Sequence, residues 1–342
     1  MTAGVVKVFL SGDVMLGRGI DQVLPRPGSP ALEEEYVSDA REYVRLAQQR
    51  NGPLPEAPGF MWPWGDALDV LEDEVPGARV INLETSVTRS SDFALGKAVC
   101  YRMSPANLPA IQAVRPDVCV LANNHVLDFG RRGLIETLDV LAGSGLATAG
   151  AGRDAAEAAR PAVVTLGPNS RLVLYAFGSA TSGVPINWAA GEDRPGVNHL
   201  GLLSRRRAEE IAAGIDAAKQ AGDLVVASIH WGSNWGYRIP KEEVRFAHAL
   251  IDGGVDLVHG HSSHHPRPIE VYRGKLVLYG CGDLINDYEG ISGFEEYRSD
   301  LRLLYLASLD AASGALVDLR MVPMRARRLR LQRASDEEGR WL

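Results

Sequence analysis

The chain has 342 residues and a formal net charge of −7, with 46% hydrophobic and 23% charged residues. This composition is typical of a globular protein with a large buried core. The acidic balance disfavours a protein that binds nucleic acid or an anionic membrane through a general basic surface.

Neither a targeting segment nor a membrane span is predicted. The first predicted strand begins at Val5, no charged and apolar leader pattern precedes it, and no run approaches about 18 apolar residues. Of the three cysteines, Cys119 and Cys281 lie in apolar, strand-like runs, which favours buried thiols in a reducing compartment. We therefore expect a cytoplasmic protein without a nucleic-acid or membrane partner; the oligomeric state stays open.

A long connection separates the first predicted strand from the rest of the chain. Residues 5–10 (VVKVFL) predict a strand that leads to Asp13. The connection that follows, over 21–63, is rich in proline and acidic residues and has one candidate helix over 36–50. A connection of this length either covers a site as a lid or is a solvated excursion without a role.

Downstream of this connection, hydrophobic periodicity predicts alternating helices and strands. Helices are predicted over 67–75, 133–142, 204–221 and 241–253. Strands are predicted over 78–81, 117–121, 146–150, 162–166, 171–178, 224–229, 255–258, 269–272, 275–279, 301–308 and 315–322. Asp66 is expected to cap the first of these helices, and Arg273-Gly274 to turn a hairpin. Residues 334–342 are expected to form a frayed tail.

Half of the eight histidines lie within one short stretch. Residues 255–266 read VDLVHGHSSHHP, which is an apolar strand followed by a cluster of imidazoles: His259, His261, His264 and His265. Neutral imidazole is the commonest side-chain metal ligand in proteins. The alternative is a surface loop that is merely rich in histidine, so a metal site needs further ligands from elsewhere in the chain.

Five predicted strands end in a residue that can coordinate a metal: Asp13, Glu84, Asn124, His230 and His261. An α/β sheet collects its site at the carboxyl ends of its strands, so these side chains are expected to converge. Each alone has a local alternative, such as a turn cap, an ion pair or a satisfied core histidine. A set of nitrogen and oxygen donors without thiolate suits one or two divalent ions of Mn, Fe or Zn and does not choose among them.

The ordered motifs around these residues resemble the bacterial capsule-synthesis CapA family, which is linked to poly-γ-glutamate synthesis and is similar in fold to calcineurin-like metallophosphatases. The motifs, within about residues 5–290, are Gly12-Asp13, Trp64-Gly65-Asp66, Asn82-Leu83-Glu84, Tyr101-Arg102-Met103, Asn123-Asn124-His125, His230-Trp231-Gly232, Gly260-His261-Ser262-Ser263-His264 and Gly280-Cys281-Gly282-Asp283. The resemblance implies a four-layer α/β/β/α sandwich with two facing mixed β-sheets. It also implies a single domain over 5–333, followed by the tail at 334–342.

The same resemblance implies roles for the metal ligands. Asp13 matches the carboxylate of a first metal, and Glu84 matches the acid that bridges two metals. The ligands of the second metal match three residues: Asn124, His230 and His261. His264 matches a final histidine that reaches back to the first metal or to substrate.

The residues that would assist the reaction also follow from the resemblance. His125 matches the general acid of the family, with Asp128 as the nearest residue that can orient it. Three positions depart from the metallophosphatase pattern, because Met15 replaces a histidine, Glu84 replaces the usual aspartate, and Val126 replaces an acid. The loss of a histidine at the first metal leaves open whether one ion or two are held.

These motifs predict a metal-dependent hydrolase of γ-glutamyl, other amide or phosphoester bonds in a small or oligomeric anionic substrate. Candidate substrate-binding residues lie near the motifs: Asn123, Lys97, Arg102, Arg18 and His265. The cations among them are equally compatible with ordinary ion pairs. Two other functions stay open, namely a non-catalytic accessory component of a polymer-synthesis complex and a nuclease, which the acidic balance disfavours.

Overall fold

The structure, a computed structural model, describes residues 4–342. Within that range the helices are α1 (Gly19–Val23), α2 (Arg41–Asn51), α3 (Ala67–Glu74), α4 (Pro109–Gln112), α5 (Gly130–Gly143), α6 (Ala155–Ala159), α7 (Arg205–Ala218), α8 (Lys241–Asp252) and α9 (Asp336–Trp341). The strands are β1 (Val5–Val14), β2 (Ala78–Leu83), β3 (Ser86–Val87), β4 (Arg102–Met103), β5 (Val118–Val120), β6 (Ala147–Ala149), β7 (Ala151–Gly152), β8 (Ala162–Gly167), β9 (Ser170–Gly178), β10 (Gly196–Val197), β11 (Asp223–His230), β12 (Leu257–His261), β13 (Ile269–Tyr272), β14 (Lys275–Leu278), β15 (Asp283–Ile285), β16 (Leu301–Asp310), β17 (Leu316–Ala326) and β18 (Leu331–Arg333). Short 3-10 turns lie at Pro105–Asn107, Ala180–Ser182, Ile186–Trp188 and Glu295–Tyr297.

Most strands belong to two large mixed sheets. The first has the order β18-β17-β16-β1-β2-β5-β6, and β15 pairs in parallel with the end of β1. The second has the order β13-β14-β12-β11-β9-β8. The central strands of each sheet are parallel, since β1, β2, β5 and β6 pair in parallel, as do β9, β11, β12 and β14. Parallel neighbours end at the same edge, so each sheet presents a shared carboxyl edge.

Strand β11 shows why the two sheets face each other. Its side chains alternate between faces, as β geometry requires. Leu224 and Val226 pack in the core that also contains strands of the first sheet. Val225, Ala227 and Ile229 instead pack against the apolar faces of α7 and α8. Helices α3 and α5 contribute to the core of the first sheet, and the expected four-layer sandwich with two facing mixed sheets is confirmed.

Two local expectations were wrong. Asp66 makes no side-chain capping bond to α3, because its carboxylate accepts from the Arg330 side chain at 2.8 Å and from the Arg333 backbone N–H at 3.1 Å. The C-terminal residues form helix α9 and do not fray. Ser335 and Glu338 make a capping box at its start, a pattern that the sequence itself contains.

The connection over 21–63 is anchored to the core by buried carboxylates. Asp21 accepts hydrogen bonds from the backbone of Gly28 at 2.7 Å and of Ser104 at 2.9 Å. Glu34 accepts from the Tyr43 hydroxyl at 2.5 Å and from Arg18 at 3.2 Å. These contacts hold the start and the middle of the connection against the residues that follow strands β1 and β4. Among the helices within residues 4–342, none combines the length and the apolar character that crossing a bilayer requires.

Candidate metal centre

The five predicted strand-end ligands lie at the facing carboxyl edges of the two sheets. Asp13 is the penultimate residue of β1, and His230 and His261 are the last residues of β11 and β12. Glu84 directly follows β2, and Asn124 lies four residues beyond β5. All except Asn124 are buried. Residues far apart in sequence therefore come together at one place, as expected for an α/β site.

Two histidines from the second sheet supply nitrogen donors. Nδ1 of His230 lies 2.7 Å from Nδ1 of His261, and Nε2 of His230 lies 3.1 Å from the side-chain oxygen of Asn124. Donor atoms of Asp13, His230 and His261 lie within 4.8 Å of one another. Burial lowers the pKa of both imidazoles well below its usual value, so both rings are neutral at neutral pH. Neutral rings keep the lone pairs that bind a metal.

The carboxyl groups of Asp13 and Glu84 lie beside these histidines and accept few hydrogen bonds from the protein. Nδ2 of Asn82 donates to Asp13 at 2.7 Å and to Glu84 at 3.1 Å. Burial and repulsion from Asp283 raise the pKa of Asp13 to about 7, and burial and repulsion from Asp13 raise the pKa of Glu84 well above its usual value. Among the residues described, no lysine or arginine nitrogen lies within 4.0 Å of either carboxylate. Their charge is left for another cation to balance.

This donor set fits a divalent metal ion. It combines neutral imidazole nitrogens, an amide oxygen and carboxylate oxygens, which are the ligands of Mn, Fe and Zn sites. The Ser228 hydroxyl contacts Nε2 of His261 at 3.0 Å and thereby fixes the ring that faces Asp13. Ser262 adopts φ 105°, a strained conformation for a residue with a side chain, and donates its backbone N–H to Asp13 at 3.2 Å.

A second group of donors shares Asp13 with the first. Donor atoms of Asp13, His264 and Asp283 lie within 4.8 Å of one another, and Nδ1 of His264 lies 3.0 Å from Oδ1 of Asp283. Sequence reasoning included Asp283 in a family motif but gave it no role. The available signal was another polar residue directly after a predicted strand. What the sequence did not reveal is the short strand β15, which pairs Asp283 with Asp13.

His125 and Asp128 lie beside the first donor group. Nδ1 of His125 is 2.6 Å from Oδ2 of Asp128, and its Nε2 is 3.8 Å from Oε1 of Glu84. Because a carboxylate accepts hydrogen bonds, the His125 proton belongs on Nδ1, and Nε2 faces the donor cluster. Burial lowers the pKa of His125 to about 4, against the opposing effect of Asp128. Lys97 forms an ion pair with Oδ1 of Asp128 at 3.0 Å.

Two of the candidate substrate residues remain near this pair. The Lys97 ammonium lies 3.4 Å from Nδ1 of His125, and 17% of its side chain is exposed. Asn123 is buried, and its amide donates to Asn82 at 3.1 Å and to the Leu83 carbonyl at 2.9 Å. Asn123 therefore holds the ends of neighbouring strands together, whereas Lys97 offers a partly accessible positive charge.

The three other candidate substrate residues contact groups of the protein outside the two donor groups. Arg18 is buried against two carboxylates and two tyrosine rings, namely Asp287, Glu34, Tyr43 and Tyr101. The Arg102 guanidinium donates to backbone carbonyls of Ser29, Ala31 and Ser90. His265 stacks on Tyr297 and Trp235 and accepts a hydrogen bond from Gly236 at 3.0 Å. In this conformation none of the three presents a free donor to the cluster.

Solved structures show the same fold at low sequence identity. A structure described as a novel phosphatase from Mycoplasma pneumoniae aligns with 99% of this chain and 97% of its own, with a TM-score of 0.52 and 9% identity. At this identity the likeness concerns the fold alone.

Sequence comparison gives closer relatives. A probable polyglutamine synthesis accessory protein of Mycobacterium tuberculosis is 55% identical over 339 residues, which is 99% of this chain and 89% of the relative. The PGA biosynthesis protein CapA of Bacillus subtilis is 25% identical over 284 residues, or 83% of this chain and 64% of the relative. Residues 7–288 match the family described as bacterial capsule synthesis protein PGA_cap. The chain belongs to this capsule-synthesis family, as the ordered motifs predicted.

Proposed function

We propose that this protein is a metal-dependent hydrolase that cleaves γ-glutamyl, other amide or phosphoester bonds in an anionic substrate during capsule or poly-γ-glutamate synthesis. The observation that carries the proposal is the direction of His125. Its Nδ1 is held by Asp128 at 2.6 Å, while its Nε2 faces Glu84, beside the donor group of Asp13, His230 and His261. A histidine that transfers protons needs one ring nitrogen held by a fixed partner and the other directed at the reacting groups, and His125 meets both conditions.

The protein groups have distinct tasks in this proposal. A bound divalent cation would supply Lewis acidity, which polarises the bond under attack and lowers the pKa of water. Asn82 orients the carboxylates of Asp13 and Glu84. Asp128 fixes the proton of His125 on Nδ1, so that Nε2 can take a proton and return it to the leaving oxygen or nitrogen. Because the pKa of His125 is about 4 in the free protein, the ring starts the reaction neutral.

An anionic substrate matches the positive group beside this histidine. Lys97 is partly exposed, pairs with Asp128 and lies over the face of Trp188 at 5.2 Å. A carboxylate or phosphate bound beside His125 would lie close to this ammonium, and the added negative charge would raise the pKa of the imidazole. The substrate would thereby help to protonate the group that assists departure of the leaving atom.

Hydrolysis by reloaded protein tests the proposal. Protein stripped with a chelator and reloaded with Mn²⁺, Fe²⁺ or Zn²⁺ should hydrolyse a chromogenic phosphoester or a γ-glutamyl anilide, and the stripped protein should not. His125→Ala should lower kcat by about 10²–10⁴-fold, because general acid–base assistance contributes that much. The matched control is His248→Ala. It removes a histidine of helix α8 that pairs with Glu270 of strand β13.

The proposal that the protein is a hydrolase would be refuted if no metal supported hydrolysis and if His125→Ala and His248→Ala were equally inactive. Unchanged metal content in His125→Ala, measured by elemental analysis, separates a catalytic defect from loss of the ion. The measurement is sensitive to a modest role as well, since a tenfold fall in kcat corresponds to about 1.4 kcal/mol.

A second candidate function is a non-catalytic accessory component of a polymer-synthesis complex. It is favoured by the printed name of the mycobacterial relative, which is an accessory protein. Under this function, His230→Ala and His261→Ala chains would still capture a ligase or transport partner and restore polymer synthesis in cells that lack the wild-type chain. Under the hydrolase proposal, both variants would fail to restore it.

A further inference from the structure

The first metal position of the metallophosphatase pattern has lost a nitrogen ligand in this chain. Met15 occupies the position of the usual histidine, and its side chain is fully buried. Its backbone N–H donates to the carbonyl of Ile285 in strand β15 at 2.8 Å. A thioether is a poor ligand for hard divalent ions, so Met15 does not replace the histidine chemically.

Strand β15 brings a carboxylate to the same position. It pairs in parallel with β1, and Asp283 lies directly opposite Asp13 in the register. Residues opposite each other in a ladder project on the same face, and like charges placed there destabilise the pair. Both carboxylates are nevertheless buried, with exposed fractions of 0% and 2%.

The described residues neutralise this pair only in part. Burial opposes ionisation of Asp283, but the charges of His264, 3.0 Å away, and of the buried Arg302 lower the pKa of Asp283. No Lys or Arg nitrogen of the described residues lies within 4.0 Å of Asp13, which lies opposite. A buried carboxylate placed opposite an ionised one is unfavourable unless another cation lies between them.

Both candidate ligand side chains are held in place by neighbours. Nδ2 of Asn286 donates to Oδ2 of Asp283 at 2.6 Å. The backbone N–H of His264 donates to the Asn234 carbonyl at 2.9 Å, and the Trp235 ring lies 5.2 Å from the His264 ring. Such outer contacts orient ligands before the ion arrives.

We propose that Asp283 takes the place of the missing histidine, so that Asp13, His264 and Asp283 hold a second divalent cation. The proposal rests on the metal centre of the proposed function and adds that its two positions are unequal. One position is formed by Asp13, Asn124, His230 and His261, with two nitrogens. The other has one nitrogen and carboxylates, and therefore discriminates less strongly against the harder Mn²⁺ in favour of Zn²⁺ than the first position does.

Equilibrium dialysis against Mn²⁺ alone, with elemental analysis, tests the assignment. The wild-type chain should bind two Mn²⁺ and give the electron paramagnetic resonance spectrum of a coupled pair. Asp283→Asn should bind one Mn²⁺ and give an uncoupled spectrum. Asp283→Glu, which keeps a carboxylate, should retain two. The matched control Asp318→Asn, on the exposed face of β17, should also retain two.

Competition tests the difference between the positions. Zn²⁺ titrated beyond two equivalents into the wild-type chain loaded with Mn²⁺ should release the two Mn²⁺ ions in two separate steps, the second at a clearly higher Zn²⁺ concentration. Release of both ions in one step, or of neither, would overturn the assignment of a harder second position.

Two stoichiometric results would also overturn the proposal. One is two bound Mn²⁺ in Asp283→Asn. The other is a single Mn²⁺ in the wild-type chain that Asp283→Asn binds about 10–100-fold more weakly, which is the effect of a residue that only orients His264. Hydrolysis is judged separately. Two coupled ions without hydrolysis would support the second metal position and refute the proposed hydrolase activity. Hydrolysis by a chain that binds one ion would support the activity and refute the second position.

Discussion

Two clusters of buried charge adjoin the Tyr101 ring, and they are balanced in different ways. In one, the Arg18 guanidinium lies 4.6 Å from that ring and binds both carboxylate oxygens of Asp287, at 2.9 and 2.5 Å. In the other, the His125 ring meets Tyr101 edge-on at 4.6 Å and lies beside the carboxylate of Glu84, which is near that of Asp13. The first cluster contains an arginine that binds its carboxylate directly, whereas among the described residues no Lys or Arg nitrogen lies within 4.0 Å of Asp13 or Glu84 in the second.

The difference indicates what each cluster is for. A buried carboxylate is stable when a cation and hydrogen bonds compensate for its lost hydration. The Arg18 cluster meets this condition within the chain and anchors the connection over 21–63 through Glu34. The Asp13 cluster does not meet it, and burial raises the pKa of its carboxyl groups. An external cation is therefore expected in the second cluster and is not needed in the first.

The largest effect is expected from Asp13→Asn, because Asp13 belongs to both donor groups. Metal affinity should fall by at least about 100-fold, beyond what loss of an orienting neighbour causes, and hydrolysis should disappear with it. In the presence of a chelator the variant should melt at a higher temperature than the wild-type chain. The change removes the repulsion of Asp13 with the nearby carboxylates of Glu84 and Asp283. Calorimetric metal titration and thermal unfolding measure both effects.

The control for this change is Asp318→Asn, which removes an exposed carboxylate from β17. It should leave metal affinity and melting temperature unchanged. If Asp13→Asn lowered the melting temperature in chelator as much as in metal, the Asp13 cluster would be self-sufficient and the contrast with Arg18 would fail.

The next largest effect is expected from Arg18→Met. The change leaves Asp287 and Glu34 buried without their cation, so the free energy of unfolding should fall by about 3–5 kcal/mol. Metal stoichiometry of the folded variant should not change. Denaturant unfolding measures the loss, and Arg26→Met, which removes an exposed arginine, is the matched control.

A second substitution checks the cause. Asp287→Asn added to Arg18→Met should recover part of the lost stability, because it removes one of the carboxylates that the first change strands. No recovery would mean that stacking of the Arg18 guanidinium on Tyr43, with Cζ 3.6 Å from the ring centre, matters more than its pairing with Asp287.

The fold was largely predictable because its long elements carry clear periodicity. The hairpin of 269–272 with 275–279 was expected at Arg273-Gly274, and β13 and β14 pair across that turn. The predicted strand at 224–229 lies within β11. Strands β5 and β6 were predicted although each has only three residues, but the short strands β3, β4, β10 and β15 were missed, since two or three residues contain no period. The prediction for the tail was wrong because it rested on the terminal position alone and did not include the capping signal of Ser335 and Glu338.

The candidate site was predictable to the extent that strand ends reveal direction. Asp13, His230 and His261 were expected to meet, and the structure places their donor atoms within 4.8 Å. The surroundings of long cations were not predictable, because an arginine such as Arg18 finds partners from distant loops. Asp287 is 269 positions away in the chain. The pairing of Asp283 with Asp13 was not predictable either, since Asp283 begins strand β15, which has only three residues.

A buried ion pair elsewhere in the molecule is intermediate between the two clusters in how fully the charge of its carboxylate is compensated. Glu243 and Arg267 are both buried, but Nη1 of Arg267 lies 3.8 Å from Oε2 of Glu243, too far for a hydrogen bond. Arg267 instead donates to the carbonyl and the hydroxyl of Ser233, both at 2.8 Å. Burial raises the pKa of Glu243 from 4.5 to about 7, although Arg267 opposes the rise. A cation is present here without full compensation.

The stability of the wild-type chain should therefore depend on pH between about 5 and 7 through Glu243. The folded chain binds the proton of this carboxyl group more tightly than the unfolded chain does. Its contribution to stability is full below pH 4.5 and is lost as the pH rises to about 7, by on the order of 3 kcal/mol. Glu243→Gln should flatten this slope in denaturant unfolding at several pH values, whereas Glu56→Gln, at an exposed glutamate of the connection over 21–63, should not. An unchanged slope in Glu243→Gln would place the pair with the fully balanced Arg18 cluster, because only a carboxyl group short of compensation takes up a proton on folding.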